Sequence, residues 1–466
     1  MKTQISNRND LTVYLIYTLL FALFLFKMFF YANEIKYFPD RSAHLSYVVY
    51  MEEHPLKIIP DYGKIKMIMF KADDRGDHAN DTELKKKTST CYLGHPPFYY
   101  KFLQMCNVIK IEQGRIYADF TRICHINICI TAFAMMIILG IGFQQLAKAN
   151  AHWIMHFMYV VICTCLPLYG YVGSNINNDN FCNLGMAVFL AGAVCYFEKG
   201  RCYKAYWLIA VGVLICFFSK LTSGVIVFVV CVGMILLECW KNKNLKIICN
   251  RYFVSTLPCF LLIGSYFVFL YAKYGTVQPS YAQFASLEEF RSSEFYLEEV
   301  LRTKLSFGED VIHFFNGLLD TWMATYSSNY MVARTGILAF PFVIVLILFL
   351  MQAVYGLYYV IKNQNLSITI LPFLFVSACI IAILIQFASH RNAYLKNGYL
   401  GGYQARYYMP CLPVVAIGAC GYVQRFYNVQ GKREDRMIFG CVILCGLLMI
   451  YADFFYYVRS YYQLPV

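Results

Sequence analysis

The chain has 466 residues, 59% of them hydrophobic and 14% charged, with a mean hydropathy of +0.50 and a formal charge of +13. A soluble globular chain is nearer a quarter charged, so residues 1–466 read as a single polytopic membrane domain rather than several soluble ones. The basic residues punctuate the ends of apolar runs, which points to a lipid bilayer as the partner and not to nucleic acid.

Crossing a hydrocarbon core takes about 20 apolar residues. On that rule the sequence predicts an all-α architecture with about 11 transmembrane helices, near 11–32, 118–146, 152–171, 181–198, 205–218, 222–239, 252–272, 336–361, 368–388, 407–424 and 437–458. The fifth is short, and it runs almost continuously into the sixth across Ser219-Lys220-Leu221-Thr222-Ser223-Gly224. Basic residues in short loops place the N-terminus (Lys2, Arg8), Lys199, Arg201, Lys243 and Arg425 in the cytoplasm. The loop Gly173 to Asn180 has no basic residue and falls outside, as do the two long loops, 33–117 and 273–335.

The first outer loop is predicted to carry interfacial helices. Residues 40–54 repeat Ala43, Tyr47 and Tyr50 at helical spacing. Residues 71–90 are polar and aperiodic and read as a mobile insertion. After the turn Gly94-His95-Pro96-Pro97, the stretch from Phe98 to Ile111 reads as an amphipathic interfacial helix. In the second long loop Ser286 caps a helix start followed by Glu288 and Glu289, and Trp322, Tyr326 and Tyr330 suit an aromatic belt. Most of the 19 cysteines lie in apolar runs, where thiols pack as small hydrophobes, and no C-x-x-C pair suggests a metal site.

Five polar clusters fall at outer span ends: Asp40/His44, His95, Asn177-Asn178-Asp179, Ser219-Lys220 and Gln404-Ala405-Arg406. Ionisable residues at membrane depth mark a pathway or a site. Each also has a plainer reading. Asp40 and Asn178-Asp179 suit helix caps, His95-Pro96-Pro97 a rigid turn, Lys220 a snorkelling side chain and Arg406 a belt residue.

Taken in order, the clusters resemble a family. Pro39-Asp40-x-x-x-His44 after the first span, His95-Pro96-Pro97-Phe98-Tyr99-Tyr100, Asn177-Asn178-Asp179, Ser219-Lys220-Leu221-Thr222 and Ala405-Arg406-Tyr407-Tyr408-x-Pro410-x-x-Pro413 are similar to motifs of GT-C-type membrane glycosyltransferases. The likeness is nearest to the bacterial polytopic branch, and more distant from protein O-mannosyltransferases and lipid A aminoarabinose transferases. It implies a GT-C-like fold and inverting transfer of a sugar from a polyprenyl-phosphate donor to a glycan, lipid or protein acceptor. The transfer would take place outside a plasma membrane or in the lumen of the endoplasmic reticulum. It assigns Asp40 as general base with His44 and His95 beside it. Lys220 and Arg406 would hold the leaving phosphate, with Arg391 and His95 in reserve, and Asn178, Asp179 and Tyr407 would bind substrate. Many members carry two adjacent acids where this chain has Asp40-Arg41, so no acid-pair metal site or other cofactor is implied and a divalent metal stays open. Two rival classes are a polysaccharide polymerase or ligase, and a non-enzymatic lipid-linked glycan transporter.

Overall fold

The computed structural model describes residues 2–34, 38, 40–73, 76–80, 89–113, 115–243, 250–322, 325–326, 331–332, 336–363, 367–429 and 432–462. Pro39, residues 74–75 and 81–88 of the expected insertion, and Tyr330 lie outside the described residues.

The chain is a multi-pass helical membrane protein. Among the described residues eight helices are long and apolar enough to cross a bilayer: Leu11–Glu34, Phe120–Lys148, Asp179–Lys199, Leu221–Asn242, Arg251–Tyr274, Ala339–Lys362, Ile368–Asn397 and Asp435–Phe455. Each satisfies its own backbone hydrogen bonds, as a span in hydrocarbon must. The outward faces of these helices carry exposed Leu11, Leu19, Leu261, Val354, Leu384 and Leu444, a surface suited to acyl chains rather than water.

The other three expected spans differ from that form. Residues 153–173 form two helices, Trp153–Thr164 and Pro167–Gly173, bent by 52°. Pro167 opens the second and supplies no amide, so the chain breaks there. The Thr164 carbonyl at the break accepts from Lys27 at 3.1 Å, and the same ammonium pairs with Asp453, which ties the first and last spans together. Tyr203–Ser219 is a shorter apolar helix. The 407–424 window starts as a 3-10 segment, Ala405–Cys411, before the helix Leu412–Val429.

Asp179–Lys199 is the most enclosed span, 78% buried across its apolar window. It packs backbone to backbone on Tyr203–Ser219. A Cβ at Gly212 would stand 2.5 Å from the Phe189 amide nitrogen, and one at Gly192 would stand 2.6 Å from that of Ile209. Such small-residue contacts let membrane helices approach closely. The two helices run antiparallel through a short turn, so the start of the first, Asp179, and the end of the second, Ser219, share one end of the bundle.

The first long loop corrects two expectations. The stretch expected to be a mobile insertion contains paired strands, Lys71–Asp73 and Gly76–Asn80. They join Arg115–Ala118 and Ile109–Glu112 in a four-stranded antiparallel sheet, in which Gly76–Asn80 pairs on Arg115–Ala118. The amphipathic helix stops at Met105, well short of Ile111. Asn107 takes a left-handed backbone (φ 52°) that ends helices, and the β-branched run Val108-Ile109 starts a strand. The helical expectation for 40–54 holds as Arg41–Glu53, and the capped start at Ser286 holds as Leu287–Arg291.

Candidate functional site

Asp40 immediately precedes the Arg41–Glu53 helix with φ at 64°, and its carboxylate makes no capping hydrogen bond. Aspartate is among the few residues that tolerate this left-handed region. The helix-cap reading therefore does not describe its side chain. Oδ1 accepts from the Tyr92 hydroxyl at 2.5 Å, and Oδ2 accepts from Arg406 Nη2 at 3.2 Å. Burial pushes the Asp40 carboxyl up, but the Arg406 guanidinium, the His44 ring and the hydrogen bonds from Tyr92 and Arg406 outweigh it and hold it below its ordinary value.

Asp179 receives both cations. Lys220 Nζ lies 2.5 Å from Asp179 Oδ1, and Arg406 Nε lies 3.8 Å from Oδ2. Lys220 is the single extended residue between Tyr203–Ser219 and Leu221–Asn242, with φ −157° and ψ 129°, so its side chain leaves the helix pair at the end where Asp179 begins. Its ammonium also stands 4.0 Å from the Tyr407 ring centroid, and the Arg406 guanidinium carbon stands 5.8 Å from the same ring. Asp40, Asp179, Lys220 and Arg406 thus form one chain of alternating charge drawn from four separate segments.

The turn ahead of Asp179 is held from below. Asn178 Nδ2 donates to the Ser219 carbonyl at 2.7 Å, and Asn177 Oδ1 accepts from the Asp179 amide at 2.9 Å. Tyr99 accepts from the Asn177 amide and donates to Asn127 Oδ1, which also accepts from Asn180 Nδ2 at 2.8 Å. Buried amides in hydrocarbon surroundings need such partners. Asn178, expected to meet substrate, spends its amide on the Ser219 carbonyl.

His44 and His95 stack with centroids 6.4 Å apart. His44 Nδ1 shares a hydrogen bond with the Tyr100 hydroxyl at 2.9 Å. The His95 carbonyl accepts from Tyr47 and Tyr62 at 3.0 and 2.9 Å, which fixes the turn before Pro96. Burial pushes the His44 ring down to about 4, against the pull of Asp40. Burial, with Lys220, His44 and Arg406 nearby, drives His95 well below its ordinary value, so it is neutral and does not serve as a reserve cation. Its buried Nδ1 has no hydrogen-bond partner among the described residues.

Arg391 does not join this group. It donates to Asp310 Oδ2 at 3.0 Å, on the Phe307–Thr321 helix of the second long loop, and His390 Nε2 meets Asp310 Oδ1 at 3.0 Å. Tyr92 and Asn127 were not singled out from the sequence, and Tyr99 and Tyr100 entered only as part of the motif from His95 to Tyr100, with no role of their own. Asn127 carried a signal as an amide inside an apolar run, and Tyr92 carried none. Among the described residues no group of three or more His, Cys, Asp or Glu side chains is placed to hold a metal ion.

What the arrangement offers is a carboxylate with lone pairs to spare, a stacked pair of neutral imidazoles, and two cations beside one aromatic ring. A carboxylate has about four acceptor positions, and two are taken on Asp40. No protein-family model, curated protein or solved structure matches the chain.

Proposed function

We propose that the protein is a membrane glycosyltransferase that moves a sugar from a polyprenyl-phosphate donor to an acceptor hydroxyl. The observation that carries this reading is the charge chain Asp40–Arg406–Asp179–Lys220, assembled from four distant segments at one end of the bundle. In this reading the acceptor oxygen attacks the anomeric carbon, the bond from that carbon to the phosphate oxygen breaks, and the acceptor proton passes to Asp40. Direct displacement inverts the anomeric centre. Negative charge grows on the departing lipid phosphate, and fixed cations in a site poor in water stabilise it. Lys220 and Arg406 are those cations, and a phosphate arriving between them competes with Asp179. Tyr407 is the surface against which both are held.

The test is reconstitution of the full chain in liposomes with polyprenyl-phosphate-linked hexoses and pentoses, reading release of polyprenyl phosphate. Release by the wild type and its loss in Asp40→Asn is the expected result. No release from any donor, or activity within a few-fold of wild type in Asp40→Asn, overturns the proposal.

A further inference from the structure

The Tyr92 hydroxyl has one described partner, Asp40 Oδ1, at 2.5 Å. Tyr92 lies outside every helix, in an extended segment whose neighbouring backbone is pinned: Cys91 N donates to Ile65 O at 2.7 Å, and Met67 N donates to Ser89 O at 2.8 Å. Its ring is braced by Phe295 from the second long loop, with centroids 5.2 Å apart. Phe295 in turn packs on Tyr281 at 5.6 Å and on Tyr399 at 5.2 Å. The phenol is therefore aimed by both long loops, and nothing in its packing needs the oxygen. Asp40, for its part, lacks the amide bonds that a capping carboxylate takes from its helix.

From this geometry we infer that Tyr92 is a positioning residue: its O–H orients the Asp40 carboxylate and keeps it ionised, leaving one edge open to an acceptor hydroxyl. The inference rests on the glycosyl-transfer reading only for what Asp40 then does. A donor bonded to the charged form of a carboxyl lowers its affinity for a proton, alongside Arg406 and against burial. Removing the donor moves the balance the other way.

The experiment compares wild type, Tyr92→Phe and a protein with 3-fluorotyrosine in place of Tyr92, all as full chains in liposomes. A hydrophobic carbodiimide attacks protonated carboxyls, and mass spectrometry reads its adduct on the Asp40 peptide. At a fixed pH above the titration midpoint, each unit by which the midpoint rises multiplies the labelling rate by ten. Tyr92→Phe should label about ten times faster, because the donor that favours the ionised carboxylate is gone. The fluorinated phenol, a stronger donor on the same ring, should label more slowly than wild type. The pH at which turnover falls off on the acid side should move up in Tyr92→Phe and down with the fluorinated ring. Unchanged labelling in both variants overturns the inference whatever the activity. Shifted labelling in a protein that releases no polyprenyl phosphate supports the Tyr92–Asp40 coupling and removes the glycosyl-transfer reading.

Discussion

Asp40 and Asp310 are both carboxylates held by an arginine and accompanied by a histidine, yet their surroundings differ in kind. Asp310 is wholly buried, with Arg391 on one oxygen and His390 on the other, and His390 Nδ1 continues to the Gly401 carbonyl at 2.9 Å. Aromatic rings close around it, Phe314 and Tyr403 both packing on His390. Asp40 keeps 28% of its side chain exposed and sits on a left-handed residue. In the same cluster, His95 Nδ1 and Asn177 Nδ2 are buried with no hydrogen-bond partner among the described residues. A cluster of charge is thus not in itself a site. The Asp310 cluster is a clamp that fastens the second long loop to the end of Leu371–Asn397. The Asp40 cluster instead has free acceptor positions, solvent access and a residue in the left-handed region.

The largest expected effect separates the two directly. Asp40→Asn should lower transfer by about 100- to 10,000-fold, the usual range for losing a general base. Asp310→Asn should leave the rate per folded molecule within a few-fold. Equal losses in the two variants would dissolve the distinction between site and clamp.

Next come the cations. Lys220→Ala and Arg406→Ala should each cut turnover roughly 100-fold or more, as for other lost stabilisers of transition-state charge. Arg391→Ala should not, because its guanidinium serves Asp310. Measured per folded molecule, a drop in the Arg391 variant as large as in Arg406→Ala would return Arg391 to the phosphate.

Asp310→Asn should instead appear as lost stability. Removing one partner of a buried charge pair costs about 3–5 kcal/mol, and the partial exposure of Arg391 brings the expectation to about 2–3 kcal/mol. Thermal denaturation in detergent reads it, with Asp40→Asn as the comparison.

How far the sequence reaches can be judged from the same two clusters. Asp40, His44, Asp179, Lys220 and Arg406 were legible because each terminates an apolar run, and hydropathy locates such ends well. Their common end follows from helix antiparallelism, which short loops dictate. Tyr92 was not legible, since an extended segment has no period and its place depends on contacts with Phe295, some 200 residues away. Arg391 lies apart from the cluster for a reason equally invisible in sequence, its partner Asp310 lying 81 residues back in the chain. The strands at 71–73 and 76–80 escaped because pairing, of 71–73 with 76–80 and of 76–80 with 115–118, makes them strands rather than side-chain pattern. Lys27 and Asp453 did carry a signal, as charges inside spans, but their pairing spans 426 residues.

The smallest expected effect concerns pH, and it follows from the neutrality of the two histidines. His44 titrates near 4 in the folded protein, against 6.5 when unfolded. Between those values the unfolded chain binds a proton that the folded chain refuses, so stability is fully present above pH 6.5 and falls as the pH drops towards 4. His95 is shifted in the same direction and adds to the slope. Asp40 acts further down: its folded value lies below the ordinary 3.8, so its contribution is lost only as the pH falls below that value. Acidification from neutral pH should therefore lower the unfolding free energy by on the order of 1 kcal/mol per pH unit for each ring, which is read as a falling denaturation temperature. His44→Asn keeps a polar group facing Tyr100 and removes the titration, so it should flatten the slope between pH 6.5 and 4 while lowering stability at neutral pH. A variant whose denaturation temperature keeps the wild-type pH slope would show that His44 titrates alike in the folded and unfolded chain, and that burial does not hold the ring neutral.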